Sequence, residues 1–200
     1  MADLKVIGKA VTREDGGDKV SGRTLFTADM HLPGMLWGKI LRSPYPHARI
    51  ERIDTTKARQ VTGVKAIITG ADVKGCLIGK QIRDMPALCW DKVRFIGDRV
   101  AAVAAETIDA AEEALSFIEV DYQELPAVFD PSKAMRPDAP RLHEDISAYG
   151  GAPKELLALD VPNGLTRLAW GKGDVEQALN RADVVLEHTF RVPARHQGYI

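Results

Sequence analysis

Tyr45 and His47 are the side chains whose types and spacing first suggest chemistry. They lie in LRSPYPHARIERID, which runs from Leu41 to Asp54. A phenol and an imidazole two residues apart could share a proton-transfer task. The prolines around them argue otherwise. Pro44 and Pro46 fix their own φ, push Ser43 and Tyr45 toward extended backbone, and remove two amide donors from any strand ladder. The stretch is read as a stiff corner that delivers Ile50 and Ile53 to a core, with the Tyr45 ring packed on the turn, rather than as a reactive loop.

The other candidates are weaker. The five histidines are His31, His47, His143, His188 and His196, and none pairs at HxH or HExxH spacing. His188 lies in an alternating segment and is expected to face a core. Cys76 and Cys89 stand 13 residues apart without a CxxC partner, which argues against metal or cluster ligation by this chain. No nucleophile elbow or P-loop occurs. GKGDVE at 171–176 places GxG before a helix, but Glu176 stands where a third glycine would approach a pyrophosphate. It reads as a helix-entry turn capped by Asp174. Glu112 and Glu113 read as a solvated helix face.

The elements that must position these groups follow from pattern. Met35–Leu41 reads as a strand, apolar on both faces and so expected to be covered. Asp54 caps a short helix to about Gln60, with Ile53 as a staple. Val64, Ala66 and Ile68 alternate along a second strand, and residues 70–92 form an irregular excursion. Val100–Ala105 is a buried strand. Thr107 starts a helix whose stripe is Ile108, Ala111, Leu115 and Ile118, and Ile118, Val120 and Tyr122 line the next strand. Prolines 131, 137, 140 and 153 punctuate a linker, with a helical turn near Ser132–Met135. Beyond it come a strand at LTRLAW, a helix with the stripe Val175, Ala178, Leu179 and Ala182, and a long strand over Val184–Val192. This order predicts an α+β fold: a mixed sheet with helices packed on it, plus an extended C-terminal strand segment.

Composition narrows the function classes. The 27 basic and 28 acidic residues balance, which argues against a sequence-wide grip on nucleic acid or anionic membrane. No apolar run of about 18 residues exists to span a bilayer. The N-terminal MADLKVIGKA lacks a basic head followed by an apolar core, so a cytoplasmic chain with free thiols is expected. The chain stops on apolar Ile200, and a piece of a longer polypeptide is expected.

VSGRTLFTADMHLPGMLWGKILRSPYPHARIERIDTTKARQVTGVKAIITGADV resembles the opening of the large subunit of molybdenum hydroxylases, the xanthine dehydrogenase/aldehyde oxidase family. FIGDRVAAVAAETIDAAEEALSFIEVDYQELPAVFDPSKAM and PDAPRLHED continue the likeness. The resemblance implies an N-terminal arm over 1–19, an α/β hammerhead domain over 20–147, a linker over 148–164 and the start of a molybdopterin-binding domain over 165–200. It implies an oxidoreductase that hydroxylates or oxidises a carbon of a small-molecule substrate with oxygen from water. The molybdopterin–molybdenum cofactor would sit on the rest of the subunit, and [2Fe–2S] clusters and FAD on partner subunits or domains, in a homo- or hetero-oligomer. No catalytic, cofactor-binding or metal-binding residue carries over to this chain, which by itself is expected to be inactive. Arg195, His196 and Gln197 are the candidates for approach to the metal site. The rival is a free-standing binding or assembly module of the same fold without redox activity. Because GKGDVE is read as a cap rather than a phosphate cradle, titration with ATP, NAD or FAD is expected to show no saturable micromolar binding by calorimetry.

Overall fold

The computed structural model describes residues 6–152, 161–164 and 170–193. Among these, the strands are β1 (Trp37–Arg42), β2 (Ala48–Asp54), β3 (Val64–Thr69), β4 (Leu77–Ile78), β5 (Met85–Pro86), β6 (Lys92–Val93), β7 (Arg99–Ala105) and β8 (Glu119–Glu124). The helices are α1 (Gly16–Val20), α2 (Ile108–Ser116), α3 (Pro131–Ala134) and α4 (Val175–Arg181). Short 3-10 turns lie at Thr27–Asp29, Ala58–Gln60 and Ile146–Ala148. Two three-stranded sheets, ordered β1-β7-β3 and β6-β2-β8, and the ribbon β4-β5 are antiparallel throughout. The α+β class stands, built from separate antiparallel sheets instead of one mixed sheet.

The apolar run Val100–Ala105 is the middle strand of its sheet, which explains why it lacks polar alternation: both its edges are paired and one face is deeply buried. Ala101, Val103 and Ala105 join Ile67, Ala58, Ala111, Ala114 and Ile118 in one core. Helix α2 starts as the sequence predicts, with Thr107 Oγ1 accepting from the Ala110 amide at 3.1 Å. Such a cap contributes about 1 kcal/mol. The helix buries Ala111 and Ala114, while Ile108, expected in the stripe, is 39% exposed at the first turn. Lys39 on β1 reaches Glu112 on α2 at 2.6 Å, so Glu112 is tied to the sheet and not simply solvated.

Three expectations about strands need correction, and a bulge explains two of them. The segment read as a corner leading straight to a helix is in fact strand β2. Its ladder with β8 slips between Ile50 and Arg52, leaving Glu51 as the extra residue. The bulge turns both Ile50 and Ile53 inward and hides the period of two. It also sets Arg52 opposite Asp121, where its guanidinium reaches that carboxylate at 2.8 Å and Asp54 at 2.9 Å. The carboxylate Asp54 instead caps its own turn, accepting from the Thr56 amide at 2.8 Å, and only a 3-10 turn at Ala58–Gln60 follows. In β3 the slip falls between Val64 and Ala66, so Ile67 is buried and Ile68 is 43% exposed, the reverse of simple alternation. Strand β1 is an edge strand with one face open: Ile40 is 41% exposed.

At the two ends, the five-residue helix α1 covers Gly16–Val20. Asp174 caps α4 by accepting from the Gln177 amide at 2.9 Å, as expected, but the Val175 and Leu179 side chains of its stripe are exposed. Val184–Val192 enters no ladder among the described residues, and Phe190 and Val192 are 87% and 88% exposed. Its alternation meets no partner edge there. Leu165–Ala169 lies outside the described residues.

The excursion over 70–92 folds back on the core through a close approach at Gly70. A Cβ there would stand 2.0 Å from the Cys89 carbonyl oxygen and 2.7 Å from the Trp90 Cα. Both neighbours are backbone and cannot step aside. Gly70→Ala is expected to lower stability by about 3 kcal/mol in urea unfolding, at the upper end for overpacking. Gly38→Ala, where a Cβ meets nothing within 4 Å, is expected to change it by less than about 1 kcal/mol.

Candidate functional site

The proline corner is built from the backbone outward. Ser43, 3% exposed, donates its amide to the Asp98 carbonyl at 2.8 Å, and the Gly97 amide returns to the Ser43 carbonyl at 2.8 Å. Gly97 takes φ +92°, a conformation glycine adopts without cost, at the tip of this turn. The Ser43 hydroxyl accepts from the Tyr45 amide at 3.0 Å and donates to the Tyr45 carbonyl at 3.1 Å. The hydroxyl thus closes the turn that Pro44 opens. The Tyr45 ring packs on Tyr122 with centroids 5.1 Å apart. Burial raises the Tyr122 phenol above its ordinary range.

His47 is 4% exposed, and its Nδ1 lies 2.7 Å from the Pro126 carbonyl. A carbonyl only accepts, so Nδ1 donates to it, and Nε2 is the remaining ring nitrogen. That Nε2 is buried with no hydrogen-bond partner among the described residues. The Leu125 amide also donates to the His47 carbonyl at 2.9 Å. His47 therefore stitches the start of β2 to the end of β8. This agrees with the reading of the stretch as a rigid corner.

Behind the corner, buried Asp98 accepts from the Arg99 amide at 3.0 Å and the Arg94 amide at 3.1 Å. Cys89 is fully buried beside it. Burial, then the Asp98 charge, pushes its thiol far above the ordinary range, which makes it an unreactive core residue. Cys76 is exposed, and both thiols are free.

A second constellation, missed by sequence reasoning, surrounds a cavity of about 240 Å³ lined by Ile82, Asp84, Leu142, His143, Ile146, Tyr149, Asn163 and Gly164. His143 Nδ1 and the Tyr149 hydroxyl are 2.9 Å apart, with the rings edge to face. The chain reaching them is a strap over β6. Lys92, with its side chain 7% exposed, extends to Glu144 at 2.5 Å, and Arg94 Nε donates to the Leu142 carbonyl at 3.0 Å. Asn163, at φ 57°, ties the far end. Its Oδ1 accepts from the Leu142 amide at 2.9 Å, and its Nδ2 donates to the Ala134 and Pro140 carbonyls at 3.0 Å each. These partners lie 21 to 29 residues away, beyond any local pattern. The Asn-Gly pair at 163–164 was the available signal, since it marks a turn with positive φ.

Burial, aided by the Arg94 charge, lowers the His143 pKa, and burial raises that of Tyr149. Both rings are neutral near pH 7, so the pair offers a hydrogen bond but no strong base. Among the described residues no three His, Cys, Asp or Glu side chains group to hold a metal ion. The cavity is amphipathic, with Asp84 and His143 beside Ile82 and Leu142. Arg195, His196 and Gln197 lie outside the described residues, and His188 is exposed beside Phe190 instead of facing a core.

Comparison with known proteins matches residues 21–126 to the a/b hammerhead domain of aldehyde oxidase and xanthine dehydrogenase. The chain belongs to this family. It is 43% identical over 189 residues to a probable xanthine dehydrogenase subunit of Bacillus subtilis, covering 94% of this chain and 23% of that one. It is 36% identical over 189 residues to the nicotinate dehydrogenase large molybdopterin subunit of Eubacterium barkeri, covering 94% of this chain and 41% of that one. Among solved structures, a Cu,Mo-CO dehydrogenase chain superposes with TM-score 0.66 at 40% identity, over 70% of this chain and 18% of that one. The chain thus spans less than half the length of either curated relative. No helix among the described residues is long and apolar enough to cross a membrane.

His143 makes stability pH-dependent with a defined sign. Its folded pKa lies below the unfolded value of about 6.5, so the unfolded chain takes up the proton first on acidification. The contribution is fully present above about pH 6.5 and is lost as pH falls toward the folded pKa. The unfolding temperature is expected to drop between about pH 7 and about pH 5, with a shallower drop in His143→Gln. The His143 ring proton is expected to titrate by NMR with a midpoint below about 6.5.

Proposed function

We propose that this chain is the N-terminal part of the large, molybdenum-binding subunit of an oxidoreductase that hydroxylates or oxidises a substrate carbon with oxygen from water. In this role the described residues are scaffold and a wall of the substrate approach. The observation that carries the reading is the hammerhead match over residues 21–126, joined to relatives that align with 94% of the chain yet extend well beyond it.

The donor chemistry agrees with a supporting role. A molybdopterin–molybdenum cofactor needs converging hydrogen-bond donors and an open metal position. Among the described residues no three His, Cys, Asp or Glu side chains group to hold a metal ion, and Asp84, a carboxylate that would repel a pterin phosphate, lines the cavity beside His143. The cofactor is assigned to polypeptide beyond this region, and [2Fe–2S] clusters and FAD to partner subunits or domains. What these residues do is hold shape. The Ser43–Asp98 turn, the His47 stitch and the strap over β6 fix the wall against which the remainder of the subunit packs.

The test is the mass and cofactor content of the native gene product purified from its host. A polypeptide several times longer than this chain, carrying stoichiometric molybdenum and pterin, is expected. A product of 200 residues without either would replace this reading by a free-standing module.

A further inference from the structure

The face of the β1-β7-β3 sheet turned away from α2 has a composition and shape of its own. Ladder register aligns Gly38, Ala104 and Ala66 in one row across the three strands. The next row on the same face is Ile40, Ala102 and Ile68. None of the six side chains is charged or polar. The intervening row, Lys39, Val103 and Ile67, points the other way: Val103 and Ile67 are buried in the α2 core and Lys39 pairs with Glu112. The helical elements that pack on this sheet, α2 and the Ala58–Gln60 turn, both contribute to that opposite core. On the open face Ile40 and Ile68 remain 41% and 43% exposed, and Leu36, just before β1, is 42% exposed.

The rows make a trough. Neighbouring strands lie about 4.8 Å apart, so the isoleucines of β1 and β3 stand about 10 Å apart with alanines of β7 as the floor between them. An α-helix is about 10 Å across with its side chains. A floor of alanine and glycine fills no space, so the occupant must bring the bulky side chains. An uncharged floor requires those side chains to be apolar. The relatives contain a large length of polypeptide beyond the part this chain covers, 23% and 41% of their chains.

We propose that this open face docks the apolar stripe of an amphipathic helix from the polypeptide that follows the matched region in the longer relatives. The inference rests on the proposed function, which supplies that polypeptide, and it names the surface through which the scaffold holds the rest of the subunit.

Hydroxyl-radical footprinting read by mass spectrometry tests it on the native full-length subunit and on the 200-residue chain. Ile40 and Ile68 are expected to label readily in the short chain and at least fivefold more slowly in the full-length subunit. Ile68→Lys is expected to leave the unfolding temperature of the short chain within about 2 °C, since the side chain is exposed there. The same substitution is expected to lower that of the full-length subunit by more than 5 °C. Equal labelling in both proteins overturns the proposal. So does concentration-dependent protection in the short chain with dimer in sedimentation, which would make a second copy the occupant. Molybdenum and pterin analysis of the same full-length preparation separates the two claims. Protection without cofactor supports the docking face and removes the enzyme reading; cofactor without protection does the reverse.

Discussion

One extra residue in β7 lets a single strand serve two cores. The ladder with β1 pairs Leu41 with Ala101 and Arg42 with Arg99, so Val100 is the bulged position. Val100 and Ala101 are consecutive and both fully buried, which regular alternation allows only when both faces are covered. Ala101, Val103 and Ala105 enter the core beneath α2, whereas Val100 joins Ala48, Cys89 and Val93 in the second core. Ile53 and Val120 pack against both. Burial of a valine contributes about 2 kcal/mol. Val100 and Val103 therefore anchor the two halves from the same seven-residue strand.

The corner depends on that bulge. Gly97 and Asp98 lie just before Arg99 and the bulged Val100, and their backbone holds Ser43 while the Asp98 side chain caps the Arg94 and Arg99 amides. Pro44 and Pro46 cannot join a ladder, so the chain needs substitutes for the lost hydrogen bonds. The Ser43 hydroxyl, the Pro126 carbonyl facing His47 and the Leu125 amide supply them. The stitch between β2 and β8 rests on the His47 Nδ1 bond to the Pro126 carbonyl and the Leu125 amide bond to the His47 carbonyl. Surface pairs such as Lys57 with Glu119 add little beside this, because both ions remain hydrated.

The two faces of the β1-β7-β3 sheet differ for a physical reason. The face toward α2 presents Val103 and Ile67 to the small side chains Ala111 and Ala114, so helix and sheet approach closely. The other face carries two isoleucine walls and an alanine floor with nothing described above it. That open face is the surface on which we propose that further polypeptide docks, and the chain spans 23% and 41% of two relatives' lengths.

Residue identity by itself settled features that depend on neighbours close in the chain. These are the cap at Thr107, the cap at Asp174, the buried run of β7, the strand through Val120 and Tyr122, and the closed character of the proline corner. Each follows from local sterics or from a local hydrogen bond. Strand β2 was hidden because a bulge at Glu51 breaks its period, and a bulge is set by the partner strand. The edge position of β1, the choice of Ile67 over Ile68, and the meeting of His143 with Tyr149 and of Asn163 with Leu142 were likewise decided by tertiary structure. Those features depend on which distant backbone lies alongside. Local propensity carries no record of that choice, because it is made by the packing of the two cores.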